Sequence, residues 1–414
     1  MDFARPLFSS TTTTMSSSPS IAGAATTGHV VCVTEADSIL GFYAARACLI
    51  SRDWAKVVCQ VNDDKDERAK KLANEGAHVI KMSLDHADHI KKHLLCNVDA
   101  LVLVPPRGFD AVKKVKTVMD AIEELKMPIM MPEPETSVRG ELKLRALVLS
   151  SCILAGFHME QPGTPGSASA AAGSAAGAAS LASSASSPAP TKGPHDKNVM
   201  KLWEQIEREV NHRCKHATLC RIGFPMQAMF ALSEVMMNKG IMPLNFGEGD
   251  FAPVNLKDAF HGITMIACEL LDKTKQPAKP MPMPKQPAGK TAARPMPTHH
   301  GQVYTLTGMQ LVNAPKLAQT ASQALEAPMP YRAVDDHEMR RILDASSGLG
   351  MFEIEEFMAS ARVIRAGKMG IRSPDLERLI KRAPMTVDKF FSENKNMFKP
   401  RGGRVVAAAL LDHF

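Results

Sequence analysis

From residue 29 onward, short apolar runs alternate with amphipathic stretches. The runs His29–Thr34, Lys56–Val61, Ala77–Lys81, Ala100–Val104 and Ala146–Ser150 have the length of buried strands. Between the first four lie 3.6-periodic segments, which predict helices over Ile39–Ser51, Lys65–Glu75 and Asp85–Leu95. A further helix is expected over Asp110–Leu125. Gly76 is placed to end the second helix, and Pro105-Pro106 closes the fourth strand. Such alternation implies a parallel sheet joined by right-handed crossovers. The pattern resumes with a helix over Asn198–His212, a strand over Thr218–Ile222 and a helix over Met226–Met237. It is looser afterwards. Residues 246–258 read as a glycine-containing loop, a short strand and the start of a helix over Lys257–Leu271. A strand over Gln302–Thr307, a helix over Ala314–Leu325 and a strand over Tyr331–Ala333 follow, and the remainder is mostly helical.

Composition removes three segments from this picture. Residues 1–28 are rich in Ser and Thr, 161–194 are nearly all Ala, Ser, Gly and Pro, and 273–300 are rich in Pro, Lys and Met. None can build a core, and all three read as disordered. About 324 residues remain, ample for a large core. The expected organisation is a tail over 1–28 and an α/β domain over 29–237 that carries the first insert. A smaller mixed α/β lobe over 238–414 carries the second.

The net charge of +7 changes meaning once it is located. The two inserts hold seven basic residues and no acid, so the rest of the chain balances to zero. Direct nucleic-acid binding is therefore not expected. The longest apolar stretch, Ala146–Met159, is too short to cross a bilayer. Eight cysteines lie scattered without a Cys-x-x-Cys pair, which suits a reducing compartment. A cytoplasmic or nuclear location is expected. The N-terminus has too little basic charge for a good mitochondrial leader.

The first strand and turn, His29-Val-Val-Cys-Val-Thr-Glu-Ala-Asp-Ser-Ile-Leu-Gly41, look like a dinucleotide-binding turn that has lost most of its glycines. Further segments share an order and spacing with known proteins: Ala69–Lys81 followed by Leu84-Asp85, Val98–Val104, Thr218–Met226, Val254–Asp258 and Tyr304–Gly308. Together they resemble the NmrA-like family, atypical relatives of the short-chain dehydrogenases. The resemblance implies a doubly wound Rossmann-like sheet, a small C-terminal lobe, NAD or NADP as cofactor, and either reductase or regulatory activity. Some members of the family act by binding transcription factors.

Mapped onto the family turn, Thr34, Ala36, Leu40 and Gly41 match cofactor-contacting positions. Glu35 and Ser38 replace the first two glycines. Glu35 and Asp37 bring negative charge toward a phosphate. At about 4 Å and an effective dielectric near 20, one such pair costs about 4 kcal/mol. After the second strand, Asn62 and Asp63 stand where an arginine often meets the 2′-phosphate of NADP, which favours NAD. An Asx-rich turn with no ligand is the competing reading. Met82-Ser83 replaces the Gly-Asp pair near the adenine. Pro105 and Arg107 lie at the crevice edge, and Arg107 is a candidate anion contact.

The proton-transfer residues are altered too. Ser150 and Ser151 end a strand where the family's serine belongs, but Val199 and Trp203 fall where its Tyr and Lys would be. Lys197 and Lys201 lie nearby and could donate to an alkoxide, although exposed helix lysines are the simpler reading. His86, His89 and His93 share one helix face with the spacing of a solvated flank, and no metal is expected. Three readings result. The first is a regulator with a degenerate site and a protein partner such as a transcription factor, the cofactor bound weakly or vestigially. The second is an NAD(P)H-dependent reductase of a small carbonyl, quinone or azo compound. The third is a scaffold that binds no nucleotide.

Overall fold

The computed structural model describes residues 28–51, 53–126, 144–156, 196–272, 299–346 and 349–401. The segments expected to lack structure, 1–28, 161–194 and 273–300, lie outside the described residues apart from Gly28, His299 and His300. The first half builds β1 (Val30–Val33), α1 (Ile39–Ser51), β2 (Lys56–Val61), α2 (Glu67–Asn74) and β3 (His78–Lys81). Next comes α3, one α-turn at Ala87–His89 that widens into π-helical turns over Ile90–Leu95. It is followed by β4 (Ala100–Leu103), α4 (Ala111–Lys126), β5 (Ala146–Cys152), α5 (Asp196–Arg213) and β6 (Thr218–Ile222).

All seven strands of the main sheet are parallel, in the order β3-β2-β1-β4-β5-β6-β8, with β8 at Val303–Leu306. The order reverses between β1 and β4, which makes the topological switch point of a doubly wound fold. Two cores result, one on each face. Leu101, Leu103, Leu149 and Leu219 face α3, α4 and α5. Val31, Val33, Val102 and Val148 face α1, α2 and α7 (Leu256–Leu271). Strands buried on both faces explain why the runs are continuously apolar.

Beyond β6 come a 3₁₀ segment (Met226–Leu232), α6 (Ser233–Lys239) and β7 (Met242–Leu244). After β8 the chain forms α8 (Ala314–Leu325), β9 (Tyr331–Ala333), α9 (Asp336–Ser346) and α10 (Met351–Arg365). It closes with α11 (Asp375–Ile380), α12 (Val387–Glu393) and α13 (Lys395–Phe398). β7 and β9 pair in a small parallel sheet of their own.

Several expectations are corrected. Asp85–Leu95 is not one regular helix, because His86 caps it without a side-chain bond and the turns after His89 widen. Met226–Met237 begins as a 3₁₀ segment after Pro225. β5 runs two residues further, through Ser151 and Cys152, because β6 pairs with it to Ile222. The short strand expected within 246–258 is only two isolated bridges, Pro225 with Val254 and Phe251 with Val312. β7, with Pro243 at its centre, had no sequence signal. α7 and β8, both beyond residue 237, complete the layers of the main sheet.

Candidate functional site

The turn after β1 keeps the backbone of a glycine turn without the glycines. Glu35 sits at φ 51°, in the left-handed region that a side chain seldom adopts. Two bonds hold it there: its N–H donates to Gln60 Oε1 at 2.7 Å, and the next N–H, from Ala36, donates to Gln60 O at 2.8 Å. Thr34 Oγ1 donates to Val104 O and accepts from Val104 N–H, both at 2.8 Å, so it ties the ends of β1 and β4 together. Ser38 Oγ accepts from Gly41 N–H at 3.0 Å, and Leu40 is packed into the core. Gly41 is fixed by packing. A Cβ there would lie 1.9 Å from Glu35 O, so only glycine lets α1 approach the turn.

The two acids of this turn are folded inward onto the end of β2. Glu35 Oε2 accepts from Asn62 Nδ2 at 2.8 Å. Asp37 Oδ2 accepts the backbone N–H groups of Asn62 at 2.8 Å and Asp63 at 3.0 Å. Those donors, at the end of the strand next to the turn, are the ones a ribose or ribose phosphate could use in this fold. The chain's own carboxylates cover them. Glu35 Oε1 and Asp37 Oδ1 are buried without a partner. Burial raises the Glu35 carboxyl from 4.5 to about 7; the Asn62 bond opposes this and neighbouring Asp37 adds to it. These residues fit the phosphates of a dinucleotide poorly: carboxylate stands where anion donors should be free.

The other cofactor positions are engaged as well. Asp63 caps Lys65 N–H at 3.1 Å and lies 3.5 Å from Lys81. Ser83 Oγ donates to Asp85 at the surface. Pro105 is buried. Arg107, the candidate anion contact, already holds an anion of the chain itself. Its guanidinium meets Glu356 of α10, and Glu356 Oε1 also accepts from Trp203 Nε1 at 3.1 Å.

This Glu356 bridge crosses the region where proton transfer would occur. Trp203, in the position of the family lysine, is 2% exposed and packed in the core with Val199. One turn later Glu207 accepts from Ser151 Oγ at 2.6 Å and is clamped by Arg221 at 2.7 Å. Ser151 is thereby fixed to a carboxylate that is itself neutralised. Ser150 Oγ is fully buried and has no partner. Lys201 is exposed and meets neither serine; Lys197 lies in α5, with its side chain outside the described residues. His86, His89 and His93 pack ring to ring at 5.6 and 6.1 Å. Among the described residues no group of three or more His, Cys, Asp or Glu gathers in a way that could hold a metal ion.

No family model matches the sequence, and no curated protein matches it. Solved structures share its shape. The NADPH-dependent quinone oxidoreductase of Escherichia coli, complexed with NADPH, superimposes with a TM-score of 0.59 at 15% identity. That match covers 88% of this chain and 99% of the other. The chain shares the Rossmann-like fold of that structure. Triphenylmethane reductase of Citrobacter sp., complexed with NADP(H), gives 0.58 at 14% identity over 88% and 99% of the two chains. NmrA, a negative transcriptional regulator in complex with NAD, gives 0.58 at 12% identity over 89% and 96%. Identities this low carry the fold alone.

Three residues of the site were invisible as such in the sequence. Gln60 looked like one polar interruption of a strand, yet its Nε2 reaches Met82 O at 2.8 Å and its Oε1 holds the turn. Glu207 and Glu356 stand among other charged residues on α5 and α10. A buried polar residue inside an apolar strand was the available signal for Gln60. For the two glutamates the partner is supplied by a distant element.

Proposed function

We propose that the protein is a non-catalytic regulator on a Rossmann scaffold, which acts by binding a protein partner such as a transcription regulator and holds a nicotinamide dinucleotide weakly. The observation that carries this reading is the occupation of the β2-end amides by Asp37, with Glu35 bonded beside it. A phosphate must displace Asp37, a carboxylate of its own sign, before it can reach those donors. The absence of a Tyr-x-x-x-Lys pair on α5, and the Trp203–Glu356–Arg107 bridge, support the non-catalytic half of the reading. The acidic turn favours NAD over NADP, because a ribose diol donates where a 2′-phosphate would repel. Eight free cysteines fit a reducing location, the cytoplasm or nucleus. No helix among the described residues is long and apolar enough to cross a membrane.

Calorimetric titration of the full chain with NAD, NADH, NADP and NADPH tests the site. Wild type is expected to bind all four weakly. Glu35→Gly combined with Asp37→Thr and Ser38→Gly is expected to bind NAD at least about tenfold more tightly, which is roughly 1.4 kcal/mol. Tight binding by the wild type would show that the carboxylates do not obstruct the site. Steady oxidation of NADPH by the wild type with a quinone or aldehyde would establish the reductase reading instead.

A further inference from the structure

A cavity of about 540 Å³ opens between the first turn of α7 and the segment that joins α11 to α12. Lys257, Arg382 and Lys389 line it together with Pro384, Met385 and Thr386. All three cationic side chains are exposed. The one acid in the lining, Asp258, is buried and satisfied from within the chain. Arg382 pairs with its Oδ1, and Met385 N–H donates to its Oδ2 at 2.6 Å. Lys257 has no ion pair among the described residues. Lys389 lies 3.8 Å from Glu393, four residues on along an exposed helix, a contact worth little in water. The cavity thus keeps two positive charges with no firm partner. Along the sequence, residues 366–401, which supply most of the lining, hold nine Lys and Arg against four Asp and Glu. The positive end of α7, a helix of 16 residues, adds to the field.

We infer that this basic groove docks an acidic peptide segment of a protein partner. The cations grip its carboxylates, and the half-buried Met385 floors the groove beneath an apolar side chain. A peptide fits the lining better than a nucleic acid, because no aromatic residue lines the cavity to stack a base and the cations surround one depression instead of forming a row. The inference rests on the partner-binding reading above but not on the nucleotide turn.

The test is fluorescence anisotropy of a labelled acidic peptide, Asp and Glu with one central Leu, titrated with the full chain. Binding is expected to weaken with ionic strength. Lys257→Glu with Lys389→Glu should weaken it at least about tenfold, and Lys257→Gln with Lys389→Gln by an intermediate factor. Lys113→Glu with Lys116→Glu, an exposed pair on α4, should leave it unchanged. Equal affinity for all three variants would overturn the proposal. So would tighter binding of a single-stranded oligonucleotide, or full displacement of the peptide by inorganic phosphate alone. No nucleotide enters this assay, so failure of the dinucleotide titration and failure of the groove are separate results.

Discussion

Glu35 concentrates both the backbone strain and the buried charge of the turn after β1. A glycine there costs nothing at φ above zero, whereas a glutamate at 51° stores about 1 kcal/mol or more of backbone strain. It also carries a carboxyl raised from 4.5 to about 7 by burial, with Asp37 and Asp110 acting in the same direction and Asn62 and Lys114 against it. The folded protein therefore binds this proton more tightly than the unfolded chain does. The stabilising contribution is complete below the unfolded value and is lost as pH rises through about 7. Glu35→Gln keeps an acceptor for Asn62 and cannot ionise. It should raise stability above neutral pH by up to about 3 kcal/mol and change little in acid. Thermal melts of both proteins from acid to mildly alkaline pH check this, and a difference that does not vary with pH would refute it. The substitution of the glycine was legible in the sequence; the direction in which the carboxylate points was not, since it depends on Gln60 and Asn62 from the neighbouring strand.

At the scale of elements, most strands and helices followed from periodicity because each buries a recognisable face. α1, β2, β6, α8 and β9 have the boundaries their patterns predict. The pattern failed where tertiary contact overrides local preference, in the π-helical turns of α3 and the 3₁₀ entry to α6. Two elements meet closely enough for sharp predictions. Gly41→Ala would push α1 off the turn, since the new Cβ meets backbone oxygen and not a movable side chain. It should cost at least about 3 kcal/mol in urea unfolding, and a loss below about 1 kcal/mol would mean that the turn gives way. Glu356→Ala should cost about 2 to 3 kcal/mol, because Arg107 and the Trp203 indole, both withdrawn from water, lose their acceptor together. Glu356→Gln retains an acceptor and should cost less; equal losses for the two variants would place the effect in packing instead of hydrogen bonding.

For the whole molecule, the C-terminal elements supply part of both cores. Leu376 and Ile380 of α11 join the face that buries Trp54, and Phe357 and Phe390 join the face that buries Trp203. Four phenylalanines, Phe224, Phe246, Phe251 and Phe357, interlock at 5.2 to 5.8 Å across the junction of β6 and α10. The two tryptophans, the only ones in the chain, therefore report on opposite faces of one cooperative unit. Trp54→Phe and Trp203→Phe leave one reporter each, and their fluorescence transitions in urea should coincide; separated midpoints would show that the two faces unfold independently. The sequence by itself determined the alternating elements of a parallel sheet, because strand and helix periods and their alternation are local properties of the chain. It also determined that α5 carries no Tyr-x-x-x-Lys pair, because that is a matter of residue identity. Only the tertiary structure decided what occupies the site. Asp37 reaches the β2-end amides, Glu356 reaches Arg107 across 249 residues, and Lys257 comes to face Lys389, because folding brings together charges that no local pattern relates.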